Sequence, residues 1–357
     1  MHQSIDGRSV RSPNLILTPD DPSLPVAEWD ALAESDGGSY FQSGTWAVTW
    51  WELLAGRPET HIALWTHGGR LEAVCAVSAV TRPLLKGAGP SVKVWVNMGS
   101  GIGAADHLGW PGYALHGRAM LEWVVSSTSG PVVLSNLSPA ATTGLTEHGL
   151  RRIEESPTLA VDLGQGEDWF PGSNDFRKKL RYAERQLEKA GIGISMVPAP
   201  DIDASLFRRL LELHAVRSEG MGWESNFDRD REAFHLGLID RAVDGRGPMA
   251  CVARTTDEVV GVLYGFRFGS TFAYYQTGWS QEHIRHSLGS VLVARTMQHA
   301  ASTGATRFDF LRGDDAYKRR FGAEPFADET WSLERGIGGA AVGLRRKAVE
   351  VVKARRR

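Results

Sequence analysis

The sequence predicts an α/β protein of mixed α+β type, built as two successive lobes, each a mostly antiparallel sheet flanked by helices. Three observations carry this. The chain has 357 residues, more than one ordinary domain of roughly 100–200 residues needs. Short apolar and alternating runs of strand type are interleaved with segments whose apolar residues recur at helical spacing. The order helix–strand–strand–strand–helix–strand–helix–strand runs through the chain twice, although the residues themselves do not repeat.

In the first lobe, Tyr40 to Ala55 reads as a helix, with Ser43 or Thr45 as cap and Trp46, Trp50 and Leu53 on one side. A hairpin follows, from His61 to Thr66 and back from Leu71, turned by Gly68-Gly69, which supply the positive φ a tight turn needs. Val92 to Met98 is a strand, His116 to Ser127 a helix and Pro131 to Leu137 a strand. Thr142 to Leu150 reads as a short helix, and Thr158 to Leu163 closes the lobe as a strand. In the second lobe, Phe176 to Ala190 is a helix stopped by Gly191. Ile194 to Ala199 is a strand, and Ser205 to Met221 and Asp230 to Val243 are helices. A hairpin then joins Met249–Thr255 to Val259–Phe268 through Thr256-Asp257-Glu258. Thr271 to Trp279 is a strand, Leu288 to Ser302 a helix, Thr306 to Gly313 a strand, Asp315 to Gly322 a helix and Thr330 to Glu334 a strand. Gly, Gln, Asp and Pro cluster over 164–172 and place the boundary there. The expected division is a leader over 1–14, a first lobe over 15–166, a second over 167–340 and a basic tail over 341–357.

A net charge of −2 excludes a globally basic nucleic-acid coat. The bases are nevertheless segregated into 173–190 and 345–357, as suits an anionic partner such as phosphates, an acidic carrier protein, RNA or a membrane surface. No run approaches the ~20 apolar residues of a membrane span, and no signal peptide opens the chain, so a cytoplasmic protein is expected. Cys75 and Cys251 have neither metal-ligand nor redox spacing, and no metal is expected. The motifs of serine hydrolases, P-loop kinases and zinc proteases are missing.

The turn into the helix at Leu288 is the natural seat of an anion, because a helix N-terminus leaves N–H groups unpaired. There Ser287 is a candidate cap and Gly289 a point of close backbone approach, with Leu288 and Ser290 completing the turn. Asp309, between Phe308 and Phe310 on a strand, faces away from both rings. It reads as a general base, or as an ion-pair partner of Arg312, Arg319 or Arg320. His214 and Arg217 share one helix face and could bind an acceptor carboxylate. Tyr275 and Gln276 point to opposite faces of their strand, so only one lines a cleft.

Three stretches resemble a known family: Phe41-Gln42-Ser43 with Trp46 and Trp50-Trp51; Leu213-His214 with Arg217; and Phe308 to Gly313 with Tyr317-Lys318 and Phe321-Gly322. Together they resemble the GNAT acyltransferase superfamily, in its two-lobed cellulose-biosynthesis-type acetyltransferase branch related to the Fem aminoacyl transferases. The resemblance covers roughly residues 40–335, and the third stretch is the most specific. It implies tandem GNAT-like lobes, with acceptor or scaffold duty in the first and the acyl-donor site in the second. It also implies Tyr317 as general acid, Ser287, Leu288, Gly289, Ser290 and Lys318 at the donor phosphates, and His214, Arg217, Tyr275 and Arg312 at the substrate. The pyrophosphate loop departs from the family pattern, reading His286-Ser287-Leu288-Gly289-Ser290-Val291. The implied activity moves an acyl group from coenzyme A, or from an acyl-carrier protein thioester, to an amine or hydroxyl of a small molecule or glycan precursor. Two alternatives stand beside it: transfer from aminoacyl-tRNA, and a non-catalytic relative that binds nucleic acid or membrane.

Overall fold

The computed structural model describes residues 12–83, 90–101, 103–164, 169–220, 227, 231–243, 245–282, 287–336 and 339. The chain forms two compact units. One holds the residues up to Ser156 and those from Asp328 onward; the other holds Pro157–Ala327.

In the first unit the strands are β1 (Leu15–Leu17), β2 (Thr60–His67), β3 (Arg70–Pro83), β4 (Ser91–Asn97), β5 (Val132–Leu137) and the later part of β12 (Glu324–Leu333), in that spatial order. All neighbours are antiparallel except β4 and β5. The β2–β3 turn has Gly68 at φ 56° and Gly69 at φ 78°, as the hairpin reading requires. The segment read as one helix from Tyr40 is a 3-10 turn, Tyr40–Gln42, followed by α2 (Gly44–Leu53). Ser43 breaks it because its hydroxyl accepts the Trp46 N–H, and the buried Asp30 takes the Thr45 N–H at 2.9 Å. Asp30 belongs to α1 (Val26–Ser35), a helix the sequence reading missed. Its one acid in the apolar face hides the helical period until the cap it makes is seen. Thr142 to Leu150 holds only a 3-10 turn, Thr146–His148, bounded by Gly144 and Gly149 in the left-handed region. The core packs Trp65, Trp95, Trp110, Met120 and Trp123 between the sheet and α3 (Tyr113–Ser127).

The second unit repeats the plan. Its sheet runs from the later part of β6 (Arg151–Asp162) through β11 (Arg307–Arg312), β10 (Thr271–Trp279), β9 (Val259–Phe268) and β8 (Gly247–Arg254) to β7 (Gly193–Pro198). Only β10 and β11 are parallel. The crossover between them is α7 (Leu288–Ser302), and α4 (Asn174–Lys189) packs on it. Those two helices cover a core of Leu159, Phe176, Leu180, Leu187, Phe272, Val291, Leu292, Phe308 and Phe321. The other helices are α5 (Ala204–Gly220), laid along β9 and β10, α6 (Glu232–Asp240) and the single turn α8 (Ala316–Arg319).

Candidate active site

Parallel strands held on both sides by other partners can part only where their own pairing ends. In the second unit β10 and β11 pair over Thr271–Ala273 and Arg307–Asp309, then separate, while β10 continues against β9 as far as Trp279. Between Tyr274 and Gln276 the β9 register shifts, a bulge that turns main-chain groups out of the ladder. A slot therefore lies between the two strands beyond Ala273 and Asp309.

Tyr317 borders this slot. Its hydroxyl and that of Tyr274 share a hydrogen bond, and burial, then the neighbouring Tyr274, push the Tyr317 pKa well above the ordinary phenol value. Burial likewise raises Tyr274, which also bonds the Thr277 hydroxyl. Arg217 counteracts both shifts with its positive charge. Both phenols thus stay protonated through the neutral range and serve as hydrogen-bond donors.

At the N-terminus of α7, Ser287 has φ 55° and its side chain makes no capping bond, contrary to its reading as the cap. Its carbonyl instead receives the Ser290 and Val291 N–H groups. Ser287 and Ser290 line a pocket of about 610 Å³ with Lys178, Lys179, Tyr182 and Arg320. Three cations, two hydroxyls and a positive helix end suit phosphate groups. Gly289 has a different duty from the one expected: a Cβ there would lie 2.8 Å from the Trp279 ring. The glycine makes room for an indole. Residues 283–286 of this loop, and the tail from 340 on, lie outside the described residues.

The family model for the acetyltransferase (GNAT) domain matches residues 174–319, the stretch that carries the slot, Tyr317 and the pocket. Over that stretch the chain is similar to GNAT acetyltransferase domains. The structure of FemX superposes with a TM-score of 0.65 at 12% identity, over 87% of this chain and 96% of that one. The C-terminal domain of a putative lysylphosphatidylglycerol synthetase from Agrobacterium fabrum gives 0.57 at 12% identity, over 91% and 95%. The L-PGS of Bacillus licheniformis gives 0.53 at 12%, over 92% and 97%. At these identities the likeness is one of fold. No curated protein sequence matches the chain.

Within this stretch the other expected site residues are distributed unevenly. Asp309 is 4% exposed, and its carboxylate accepts the Leu311 N–H at 2.8 Å. That bond supports a bulge in which Leu311 takes φ 57°. Arg307 stands 3.9 Å from the Asp309 carboxylate. Arg319 pairs with Asp314 at 2.6 Å and Arg320 lies over the Phe176 ring. The base reading of Asp309 gives way to a structural one. Lys318, read as a phosphate ligand, is 3% exposed, and its ammonium donates to the carbonyls of Phe310, Arg312 and Gly313 while meeting Asp315 at 3.5 Å. It ties off the end of β11, and no donor remains for a phosphate.

His214 is buried with Nδ1 3.2 Å from the Thr277 carbonyl and Nε2 3.2 Å from the Ser218 hydroxyl. Burial lowers its pKa; Nδ1 fastens α5 to β10, while Nε2 meets a hydroxyl one turn along α5 itself. Tyr275 packs with Phe227, His235, Tyr264 and Phe266, on an aromatic cluster. Arg312 has an exposed side chain, and its carbonyl receives Lys318. Arg217 and Tyr317 are therefore the expected residues that the structure brings to the slot. Sequence reasoning missed Tyr274, Trp279, Lys179 and Arg320. The alternation Phe272–Tyr274 marks Tyr274 as core-facing, but the bulge beyond it leaves no mark in composition.

The first unit has the same topology with its equivalent positions filled. β4 and β5 pair only at Trp95–Val96 and Val132–Val133. Beyond that point the Asn97 carboxamide bonds both the N–H and the carbonyl of Ser135, and Leu108 bridges to Leu137. At the start of α3 the Asp36 carboxylate accepts the Gly112 N–H, where a donor phosphate would otherwise sit. This unit plugs its slot with its own side chains. Among the described residues no cluster of His, Cys, Asp or Glu could hold a metal, and no helix is long and apolar enough to cross a membrane.

Proposed function

We propose that the second unit is an acyltransferase site taking its acyl group from coenzyme A or from a carrier-protein thioester and passing it to an amine of a small molecule or glycan precursor. The observation that carries the reading is the conjunction, in one unit, of the open β10–β11 slot, the protonated Tyr317 and the cationic pocket at the start of α7. Lys178, Lys179, Arg320 and the first turn of α7 would hold the donor phosphates. The bound thioester supplies the activated carbonyl. A neutral amine attacks that carbonyl, the carbon–sulfur bond breaks, and the leaving sulfur receives a hydrogen bond and then a proton from Tyr317. The proton lost by the amine nitrogen balances the one gained by sulfur.

Two substitutions separate the parts. Tyr317→Phe deletes only the hydroxyl and should lower kcat on the order of 10²-fold, with donor affinity kept. Lys178→Ala/Lys179→Ala should raise the Kd for coenzyme A about tenfold or more, with kcat at saturation little changed. An unaltered kcat in Tyr317→Phe, measured as thiol release from acetyl-coenzyme A, would remove the tyrosine from the mechanism.

A second reading, aminoacyl-tRNA as donor, draws on α4. Its outer face carries the half-buried Arg177 and the exposed Lys178, Arg181 and Arg185, and a second groove beside it pairs Arg177 with Trp169 and includes Arg181 and Arg295. Tight tRNA binding that falls steeply with salt and is lost on Arg177→Ala/Arg181→Ala would favour this donor.

A further inference from the structure

Arg217 lies half-buried at the end of α5 with its guanidinium 4.3 Å from the centre of the Trp279 ring. Trp279 itself is fixed from behind, because its ring fills the space left by the absent side chain of Gly289 in the first turn of α7. Stacking on a fixed ring sets the plane of the guanidinium and leaves its in-plane N–H edge as the part that can bond. Part of that edge is open to a ligand. Nε is buried and has no hydrogen-bond partner, and among the described residues no carboxylate pairs with Arg217. Leaving a buried charged donor unsatisfied costs more than an ordinary missing bond, so the arrangement is poor as scaffold and well suited to a ligand.

The chemistry of the ligand follows from the geometry of the fork. A planar guanidinium edge matches the two coplanar oxygens of a carboxylate in a bidentate pair. Arg217 is not among the residues of the phosphate-type pocket, which is lined by α4, the start of α7 and Arg320. The two cationic features therefore address two different anions, and the donor accounts for only one. Among the described residues the charge of Arg217 is felt by the hydroxyls of Tyr274 and Tyr317 and by His214. Asp315 stands near the two phenols as well, and its negative charge disfavours a dianion there. A singly charged carboxylate is the anion that fits.

We propose that the acceptor is an amino-carboxylate, an amino acid or a peptide with a free carboxyl group, whose carboxylate is clamped by Arg217 on Trp279 so that its amine lies beside Tyr317. The inference rests on the acyl-transfer reading of the slot and narrows it to a substrate class.

The test uses the full chain and matched acceptor pairs: L-alanine and L-alaninamide, and L-alanyl-L-alanine and its C-terminal amide. Thiol release from acetyl-coenzyme A is measured for the native protein and for Arg217→Gln and Arg217→Lys. The native protein should favour each acid over its amide. Arg217→Gln should raise the KM for the acids at least tenfold more than for the amides, so that the acid preference collapses. Arg217→Lys should restore only part of the preference, because an ammonium lacks the planar fork. An acid-to-amide ratio that is the same in the native protein and Arg217→Gln overturns the carboxylate clamp while leaving acyl transfer intact. Absence of thiol release with every pair speaks against the acyl-transfer reading itself. Binding then decides the clamp: saturation-transfer NMR should show the acids, not the amides, bound to the native protein and released in Arg217→Gln. Equal signals for acid and amide, or no acid binding, would refute it.

Discussion

His235 is completely buried, inside a cage formed by the rings of Phe207, Phe227, Phe234, Tyr264 and Tyr275 at centroid distances of 5.1 to 5.5 Å. Neither ring nitrogen has a hydrogen-bond partner. Burial, with Arg231 as a lesser cause, pushes its pKa down to about 3. The imidazole is then neutral in the folded chain and protonates in the unfolded chain below its ordinary value near 6.5, so the unfolded state takes up more protons and acid destabilises the fold. That contribution is fully present above pH 6.5 and is lost as pH falls toward 3. One proton over the interval from pH 6.5 to 5 amounts to about 2 kcal/mol. His235→Phe, which puts an apolar ring in an apolar cage, should remove this acid sensitivity and raise stability at pH 7 by roughly 1 kcal/mol. Urea denaturation at both pH values measures it, and an unchanged difference between the two would mean the acid loss arises elsewhere. At this scale the sequence is a good guide to which residues matter and a poor guide to what they do. Asp309, Lys318 and His214 stand out because charged and polar residues in apolar company are informative. Only the structure reveals that each has a backbone group among its partners, and such groups have no signature in the sequence.

Elements make the same point from the other side. Strands and helices of the second unit were readable because each obeys one period: Leu206, Leu210 and Leu213 recur along α5, and Phe308 and Phe310 alternate on β11. What interrupts a period was not readable. The β10 bulge, the Leu311 turn and the α2 cap from Asp30 are local exceptions that no period announces. The final signature, from Phe308 to Gly322, is accordingly more a clamp than a reaction centre. Asp309 holds the bulge, Lys318 gathers the loose carbonyls, and Gly322 at φ 84° lets the chain pass within a Cβ's reach of Pro171. Their combined effect is to present Tyr317 toward Tyr274. The start of α7 works similarly through Trp279. Gly289→Ala should therefore destabilise the fold by about 1–3 kcal/mol, even though alanine is otherwise the better helix former, because the indole must move. A lower urea midpoint with weaker acceptor binding is the expected result. A midpoint equal to that of the native protein would show that the ring yields freely, and that the glycine is kept for ligand approach after all.

Across the whole molecule, the two-lobed plan was visible as a repeated order of elements, and the resemblance named the superfamily that the family model then matched. The two units differ in a way that composition does not show. The physical reason, a slot filled by Asn97 and a helix end capped by Asp36, depends on side-chain geometry. Composition placed the boundary among the glycines of 164–172, but pairing sorts the chain differently, because β11 takes its partner from Thr158–Asp162. Pairing also returns the residues from Asp328 to the first unit, where Trp331 to Leu333 pair with β5. Asp328 is 1% exposed there; its two oxygens take the His107 N–H at 2.6 Å and meet His107 Nδ1 at 2.8 Å. His107 has φ 50°, a backbone state that needs such support. Further along, Arg335 donates to the carbonyls of Val125, Thr128 and Gly130, gathering the end of α3 and the entry to β5. A chain stopped after Ala327 loses all of these bonds and exposes one edge of β5. It should fail to fold its first unit, with a red-shifted tryptophan emission from Trp29, Trp46, Trp50, Trp51, Trp65, Trp95, Trp110 and Trp123. A chain stopped after Gly343 keeps every one of the bonds named and should show the native emission. If the shorter chain also showed native emission and a cooperative thermal transition, the first unit would be complete without its C-terminal strand, and the return of the chain would have to be explained by something other than folding.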